Sequence, residues 1–216
     1  MTAPTVLVVA KAPVPGQAKT RIATTVGDEA AAAVAAAALL DTLTTAAAVG
    51  WPLVVAMTGE LSAATAHDEI AAALEPATVV QQRGDSFAQR LAHAHADADA
   101  GFGVVQVGMD TPQLTVADYL DAGRMVELGN RVIGPAKDGG WWLLGLPDPS
   151  AARALADVPM SQDDTLARTE EALGGDWIRL RTVRDMDTWE DAVVIAREAP
   201  ISQLADAVAR LESSRG

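Results

Sequence analysis

Short runs of β-branched and other apolar residues recur along the chain, each followed by a longer stretch rich in alanine and leucine. The runs are 5–10 (TVLVVA), 52–57 (PLVVAM), 78–81 (TVVQ), 104–107 (VVQV) and 131–133 (RVI). Helix-like stretches cover about 28–49, 61–74, 86–99, 116–128, 164–173, 188–198 and 201–211. Such alternation predicts β-α-β units around a mainly parallel sheet, and near-continuous apolar strands suit a sheet covered by helices on both faces. Two further runs, 141–146 (WWLLGL) and 177–183 (WIRLRTV), follow glycine-rich turns and make the second half less regular. A mostly parallel but mixed α/β sheet is therefore expected. With no linker and no fixed-period repeat, residues 1–216 read as a single domain.

Composition narrows the function classes. The 216 residues include no cysteine, which removes the ligands of a zinc ribbon or an iron–sulfur site and the basis of a disulfide scaffold. Acidic residues outnumber basic ones 29 to 16, a net charge of −13, so nucleic acid is not an expected partner. Residues 1–10 lack a basic region before their apolar run, and the apolar stretch at 30–40 is short and mostly alanine. The expectation is a cytoplasmic protein with no membrane partner.

In an open α/β sheet, ligands bind beyond the carboxyl ends of the strands, so the polar and glycine-rich residues following each run are the ones to weigh. After the first run comes 11–21 (KAPVPGQAKTR), which concentrates Lys11, Lys19 and Arg21 in an acidic chain. Cations on a proline-stiffened backbone suit a polyphosphate, with Thr20 adding a hydroxyl and Gly16 allowing close approach. A solvated loop is the plain alternative. After the fourth run, Asp110 in 108–114 (GMDTPQL) is placed to hold a hard divalent cation or to cap a turn. After the fifth, 134–142 (GPAKDGGWW) sets Asp138, Gly139 and Gly140 in a tight turn, with one of Trp141 and Trp142 facing the core and the other free to line a pocket.

Near the end, 184–191 (RDMDTWED) offers Asp185 or Asp187 as a second carboxylate, with Thr188 and Asp191 spaced as a capping box. Two carboxylates from distant segments are how phosphoryl and nucleotidyl transferases clamp a metal on a polyphosphate. Arg83, between a strand and a helix, is a ligand contact or a bland loop residue. His93 and His95 point apart on a helix and read as surface residues. GxGxxG, the P-loop, the Ser-His-Asp elbow, HExxH and the EF-hand loop are all absent.

Taken in order, AKAPVPGQAKTR, QRGDSFAQRL, GMDTPQL, GPAKDGGWWLLGL and RDMDTWED resemble the selenodomain-associated glycosyltransferase-like proteins of the nucleotide-diphospho-sugar transferase superfamily. That resemblance implies a GT-A fold, a Rossmann-like sandwich binding a nucleotide through its amino-terminal half and a metal through an aspartate after a central strand. It carries Lys11, Lys19 and Arg21 onto the nucleotide-phosphate loop, and Asp110 and Asp187 onto metal-ligand positions for Mg²⁺ or Mn²⁺. Asp138, Gly139, Gly140 and Trp142 fall on the acceptor side, while Gly16, Thr20 and Arg83 join the nucleotide-binding set. Trp189 stands where the family has proline, and Lys137 where an acidic or small residue is usual. The AKTR stretch is also similar to phospholactate guanylyltransferases, which move a nucleotidyl group.

The reading that follows is an Mg²⁺-dependent transferase with Lys19, Arg21 and Asp110 as its catalytic residues. It would pass a nucleotidyl group from an NTP to a small phosphorylated or hydroxyl acceptor and release pyrophosphate. The alternatives are a glycosyltransferase using a nucleotide-diphospho-sugar and a nucleotide-binding module without catalysis. An exposed tryptophan at 141 or 142 would serve a pocket or a homodimer interface equally well.

Overall fold

The computed structural model describes residues 3–215, which form a seven-stranded sheet in the order β3-β2-β1-β4-β6-β5-β7. The strands are β1 (Thr5–Lys11), β2 (Leu53–Thr58), β3 (Thr78–Gln81), β4 (Val104–Gly108), β5 (Arg131–Pro135), β6 (Trp141–Leu146) and β7 (Trp177–Arg179). Only β6 runs against its neighbours β4 and β5, so the sheet is mostly parallel and mixed, as expected. The helices are α1 (Thr20–Val26), α2 (Asp28–Ala48), α3 (His67–Leu74), α4 (Phe87–Asp97), α5 (Val116–Glu127), α6 (Thr165–Leu173), α7 (Trp189–Glu198) and α8 (Gln203–Arg215). Short 3₁₀ segments occupy Leu61–Ala63 and Pro149–Asp157.

Strand alternation divides the core. Val6, Val8 and Ala10 of β1 face one layer with Leu39 and Leu43 of α2 and Tyr119 of α5, while Leu7 and Val9 face the other with Leu91 of α4 and Leu155. A third cluster joins Ile22 of α1 to Ala31 and Val34 of α2, Met186, Ile195 of α7 and Leu204 of α8. The helix α2 matches the helix-like stretch at 28–49, and by length and composition alone it is long and apolar enough to cross a membrane. Its most apolar window is 67% buried within the protein, which makes it the central helix of this core.

Helix ends follow local chemistry. Ser86 accepts a hydrogen bond from the Gln89 N–H at the start of α4, and Thr188 and Asp191 form the reciprocal capping box of α7. Several features depart from the sequence reading. The run 177–183 is a strand only over Trp177–Arg179, and the stretch 61–74 divides into a 3₁₀ segment at Leu61–Ala63 and the helix α3. The segment after Lys19 continues as the helix α1 where an extended basic loop was expected, because Ile22 is drawn into the third cluster. His95 is fully buried, its ring nitrogen Nε2 2.8 Å from Gln106 Oε1, since α4 lays this face on the sheet.

Burial pushes the His95 imidazole from 6.5 down to about 4. Between these values the unfolded chain takes up a proton that the folded chain refuses. The stability this site supports is therefore complete above pH 6.5 and lost as pH falls toward 4, at up to about 1.4 kcal/mol per pH unit. His95→Gln is expected to flatten the dependence of urea-unfolding free energy on pH across that window. An unchanged slope would assign the acid sensitivity to other groups.

Candidate active site

Strand β1 lies between β2 and β4, so the chain leaves β1 in one direction toward β3 and returns on its other side. At such a switch point the loops after neighbouring strands diverge and leave a crevice at their carboxyl ends. A cavity of about 550 Å³ sits there, lined by residues following β1 and β4, by the β5–β6 turn, by α4 and by the segment before α7.

The β1–α1 loop delivers two cations to it. Lys19 occupies the residue before α1 in the left-handed region (φ 50°, ψ 47°), which is unfavourable for a side chain with a Cβ. Its side chain, only 12% exposed, places the ammonium 2.7 Å from Asp110 Oδ1 and 3.8 Å from Asp187 Oδ1 while donating to the Met186 carbonyl. Arg21 approaches the other Asp187 oxygen at 3.0 Å from the solvent side. Lys11, at the strand end, donates to the Gln17 carbonyl at 2.6 Å and so closes its own loop.

Four carboxylates face these cations. Asp110 follows β4, and its backbone carbonyl accepts from the Met186 N–H at 2.8 Å, which stitches the late segment to that strand end. Gln113 adds a second stitch through its amide to the Arg184 carbonyl at 2.6 Å. Asp138, Asp185 and Asp187 bring one oxygen each within 4.8 Å of one another. Burial, then the charges of Asp138 and Asp187 and, more weakly, Asp110, push Asp185 up to about 6. Hard oxygen donors so grouped fit a divalent cation of the Mg²⁺ or Mn²⁺ kind. The paired cations Lys19 and Arg21 leave this group two negative charges in excess.

The convergence has an identifiable packing cause. Ile22 and Met186 are both fully buried in the same cluster. Lys19 stands three residues before the first, and Asp185 and Asp187 flank the second. Burying two apolar side chains thus fixes where an ammonium and two carboxylates emerge.

The structure distributes the residues singled out in the sequence unevenly. Lys11, Lys19, Thr20, Arg21, Asp110, Asp138, Gly140, Trp142 and Asp187 line the cavity. Arg83 does not: its guanidinium pairs with Asp97 of α4, fourteen residues on. Gly16 lies outside the lining, with Asp28 Oδ2 3.4 Å from where a Cβ would stand. Gly139 also lies outside it, held against the backbone of Asp163 and not against open space. Trp142 is only 3% exposed; it packs over Gly134 and donates its indole N–H to the Arg181 carbonyl at 3.0 Å, so it forms wall and not a free stacking face. Asp185 joins Asp187 in the group, where the sequence left them as alternatives. Gln82, Arg90 and Gln106 are among the further polar residues of the lining; in the sequence Arg90 stood out only as part of the QRGDSFAQRL stretch.

Gly139 has φ +90°, and a Cβ there would lie 2.0 Å from the Asp163 carbonyl oxygen. Its own carbonyl accepts from the Leu166 N–H at 2.9 Å, joining the Asp138 turn to the start of α6. Gly139→Ala is expected to cost about 2 kcal/mol or more in urea unfolding. A change within about 0.5 kcal/mol would mean that this junction tolerates displacement.

No curated protein sequence matches the chain. Among solved structures, a protein of Desulfovibrio desulfuricans G20, provisionally assigned as a nucleotide-diphospho-sugar transferase, superposes with a TM-score of 0.85 at 24% identity, over 99% of this chain and 96% of the other. Rv0371c of Mycobacterium tuberculosis H37Rv, in its manganese complex, gives 0.58 at 20% identity over 90% and 98%. The 4-diphosphocytidyl-2C-methyl-D-erythritol synthase of Anaerococcus prevotii DSM 20548 gives 0.54 at 13% identity over 98% and 97%. At these identities the likeness is one of fold, and it is the Rossmann-like GT-A architecture implied by the resemblance in sequence. Residues 39–162, which carry Asp110 and Asp138, match a bacterial family described as uncharacterized conserved proteins, and the chain belongs to that family, DUF2064.

Proposed function

We propose that this chain is a transferase acting on a nucleotide donor, and that its reaction is divalent-cation-dependent nucleotidyl transfer from an NTP to a small phosphorylated or hydroxyl acceptor. The observation that carries this reading is the pairing of a basic β1–α1 loop with four converging carboxylates across a cavity at the strand switch point. A triphosphate brings more negative charge than a diphosphate donor, and the passage from β1 into α1, with Lys11, Lys19 and Arg21, suits it.

In this mechanism Asp110 and Asp187, with Asp138 and Asp185 beside them, would hold the cation. Bound there, Mg²⁺ or Mn²⁺ supplies charge neutralisation on phosphate oxygens. Lys19 and Arg21 exchange their carboxylate partners for oxygens of the β- and γ-phosphates. An acceptor oxygen attacks the α-phosphorus in line, the new P–O bond forms, and the bridging P–O bond to pyrophosphate breaks. A phosphate acceptor needs no base; a hydroxyl acceptor passes its proton to a carboxylate of the group. Glycosyl transfer from a nucleotide-diphospho-sugar is the second reading, favoured by the assignment given to the Desulfovibrio structure.

Thermal unfolding across a panel of NTPs and nucleotide sugars, with and without Mg²⁺, separates these readings, because a ligand at 100 times its Kd adds about 2.7 kcal/mol. A Mg²⁺-dependent shift with an NTP is expected. A shift with nucleotide sugars alone would move the assignment to glycosyl transfer, and binding without turnover would leave a nucleotide-binding module. Asp110→Ala is expected to lower turnover by at least about 100-fold, and near-normal turnover would remove Asp110 from the mechanism. Lys19→Met keeps the chain length but frees Asp110 and Asp187 of their ammonium. It is expected to tighten Mn²⁺ binding without nucleotide about tenfold, or ~1.4 kcal/mol, in calorimetry, while NTP affinity falls; unchanged Mn²⁺ affinity would show that the ammonium does not compete for the cation's place.

A further inference from the structure

The cavity straddles the carboxyl edge of the sheet, and its two sides differ in charge chemistry. On the side of α1 and α7, Lys19 and Arg21 are each matched to a carboxylate. On the opposite face, where α4 packs over Leu7 and Val9 of β1, the lining comes from Phe87, Arg90 and Leu91 of α4, from Trp141, and from Met160 and Thr165. None of these is acidic.

Arg90 is the cation of that side. Among the described residues no carboxylate lies within ion-pair distance of it, and its Nε is buried without a hydrogen-bond partner. Its guanidinium carbon stands 5.7 Å from the centre of the Phe87 ring, an apolar neighbour that holds the head group in place without neutralising it. The neighbouring Arg83, by contrast, is satisfied by Asp97. A guanidinium offers a planar fork of donors suited to two oxygens of one anion, and a half-apolar wall raises the value of that match.

We infer that Arg90 recognises an anionic group, phosphate or carboxylate, on the acceptor, and that the α4 side of the cavity is the acceptor's side. The inference rests on the transferase reading and refines it. The donor's polyphosphate has its own cations on the side of α1 and α7, paired there with Asp110 and Asp187, and Asp138 of the carboxylate group lies three residues from Trp141 of the α4 side. A donor held by Lys19 and Arg21 and an acceptor held by Arg90 would therefore meet at the carboxylate group.

The test uses the full chain with Arg90→Gln and Arg90→Lys, titrated by calorimetry with glycerol 3-phosphate, with malonate, and separately with Mg²⁺ and each NTP. The wild-type protein is expected to bind one of the two anions. Arg90→Gln is expected to weaken that binding at least about tenfold and Arg90→Lys less, since it keeps the charge and loses the fork. NTP affinity is expected to stay within about twofold of wild type in both variants. The anion that responds distinguishes a phosphate-bearing from a carboxylate-bearing acceptor. Loss of NTP affinity in Arg90→Gln would overturn the inference by assigning Arg90 to the donor. Anion binding indifferent to Arg90, or no anion binding by the wild type, would overturn it equally. Arg90-dependent anion binding in a protein that binds no NTP would retain the anion site and reject the transferase reading.

Discussion

Strand β4 lies beside β1 and not beyond β3, and the functional end of the molecule follows from that reversal. Loops after β1 and β4 must part to follow helices on opposite sides, so the backbone there opens a space that no side chain of the sheet fills. The parallel strand β5 brings the chain to the same edge, where the turn into the antiparallel β6 presents Asp138 and the first residue of β6 is Trp141. The segment before α7 is tied to the end of β4 by backbone and by Gln113, which brings Asp185 and Asp187 to the same opening. Chain direction alone thus gathers charge from four remote stretches of sequence.

Gathering that much charge has an electrostatic cost, and the protein meets it with cations of its own. Lys19, largely withdrawn from solvent, sits between Asp110 and Asp187 in a backbone conformation that its side chain disfavours. Burial and its carboxylate neighbours push Asp185 up to about 6. A site that strains one residue and crowds carboxylates against one another is poised to gain free energy from a ligand carrying both a cation and phosphates.

The strands and most helices were legible because their signals are local. Apolar runs such as 78–81 and 141–146 coincide with β3 and β6, and the Thr188–Asp191 spacing announces the cap of α7. The helix α1 was not, because TRIATTV is rich in β-branched residues with weak helix propensity, and the burial of Ile22 decides its state. His95 was misread as a surface residue since helical spacing gives the angle between side chains but not which face meets the sheet. The site divides in the same way. Lys19, Asp110 and Asp187 were flagged by their place after strands and by family resemblance. That Arg83 turns to Asp97, that Gly139 abuts Asp163, and that Asp138 closes on Asp185 depend on contacts between segments far apart in the chain.

The alanine-rich α2 bears on the site from a distance. It presents Ala31 and Ala38, with Val34 between them, to the cluster in which α1 rests through Ile22. Methyl groups have no rotamers to exchange, so this contact has one separation and no means of absorbing a displacement. The position of Lys19 relative to Asp110 is therefore referenced to a stiff internal ruler, and the precision of the charge arrangement is inherited from the least chemically distinctive residues in the chain.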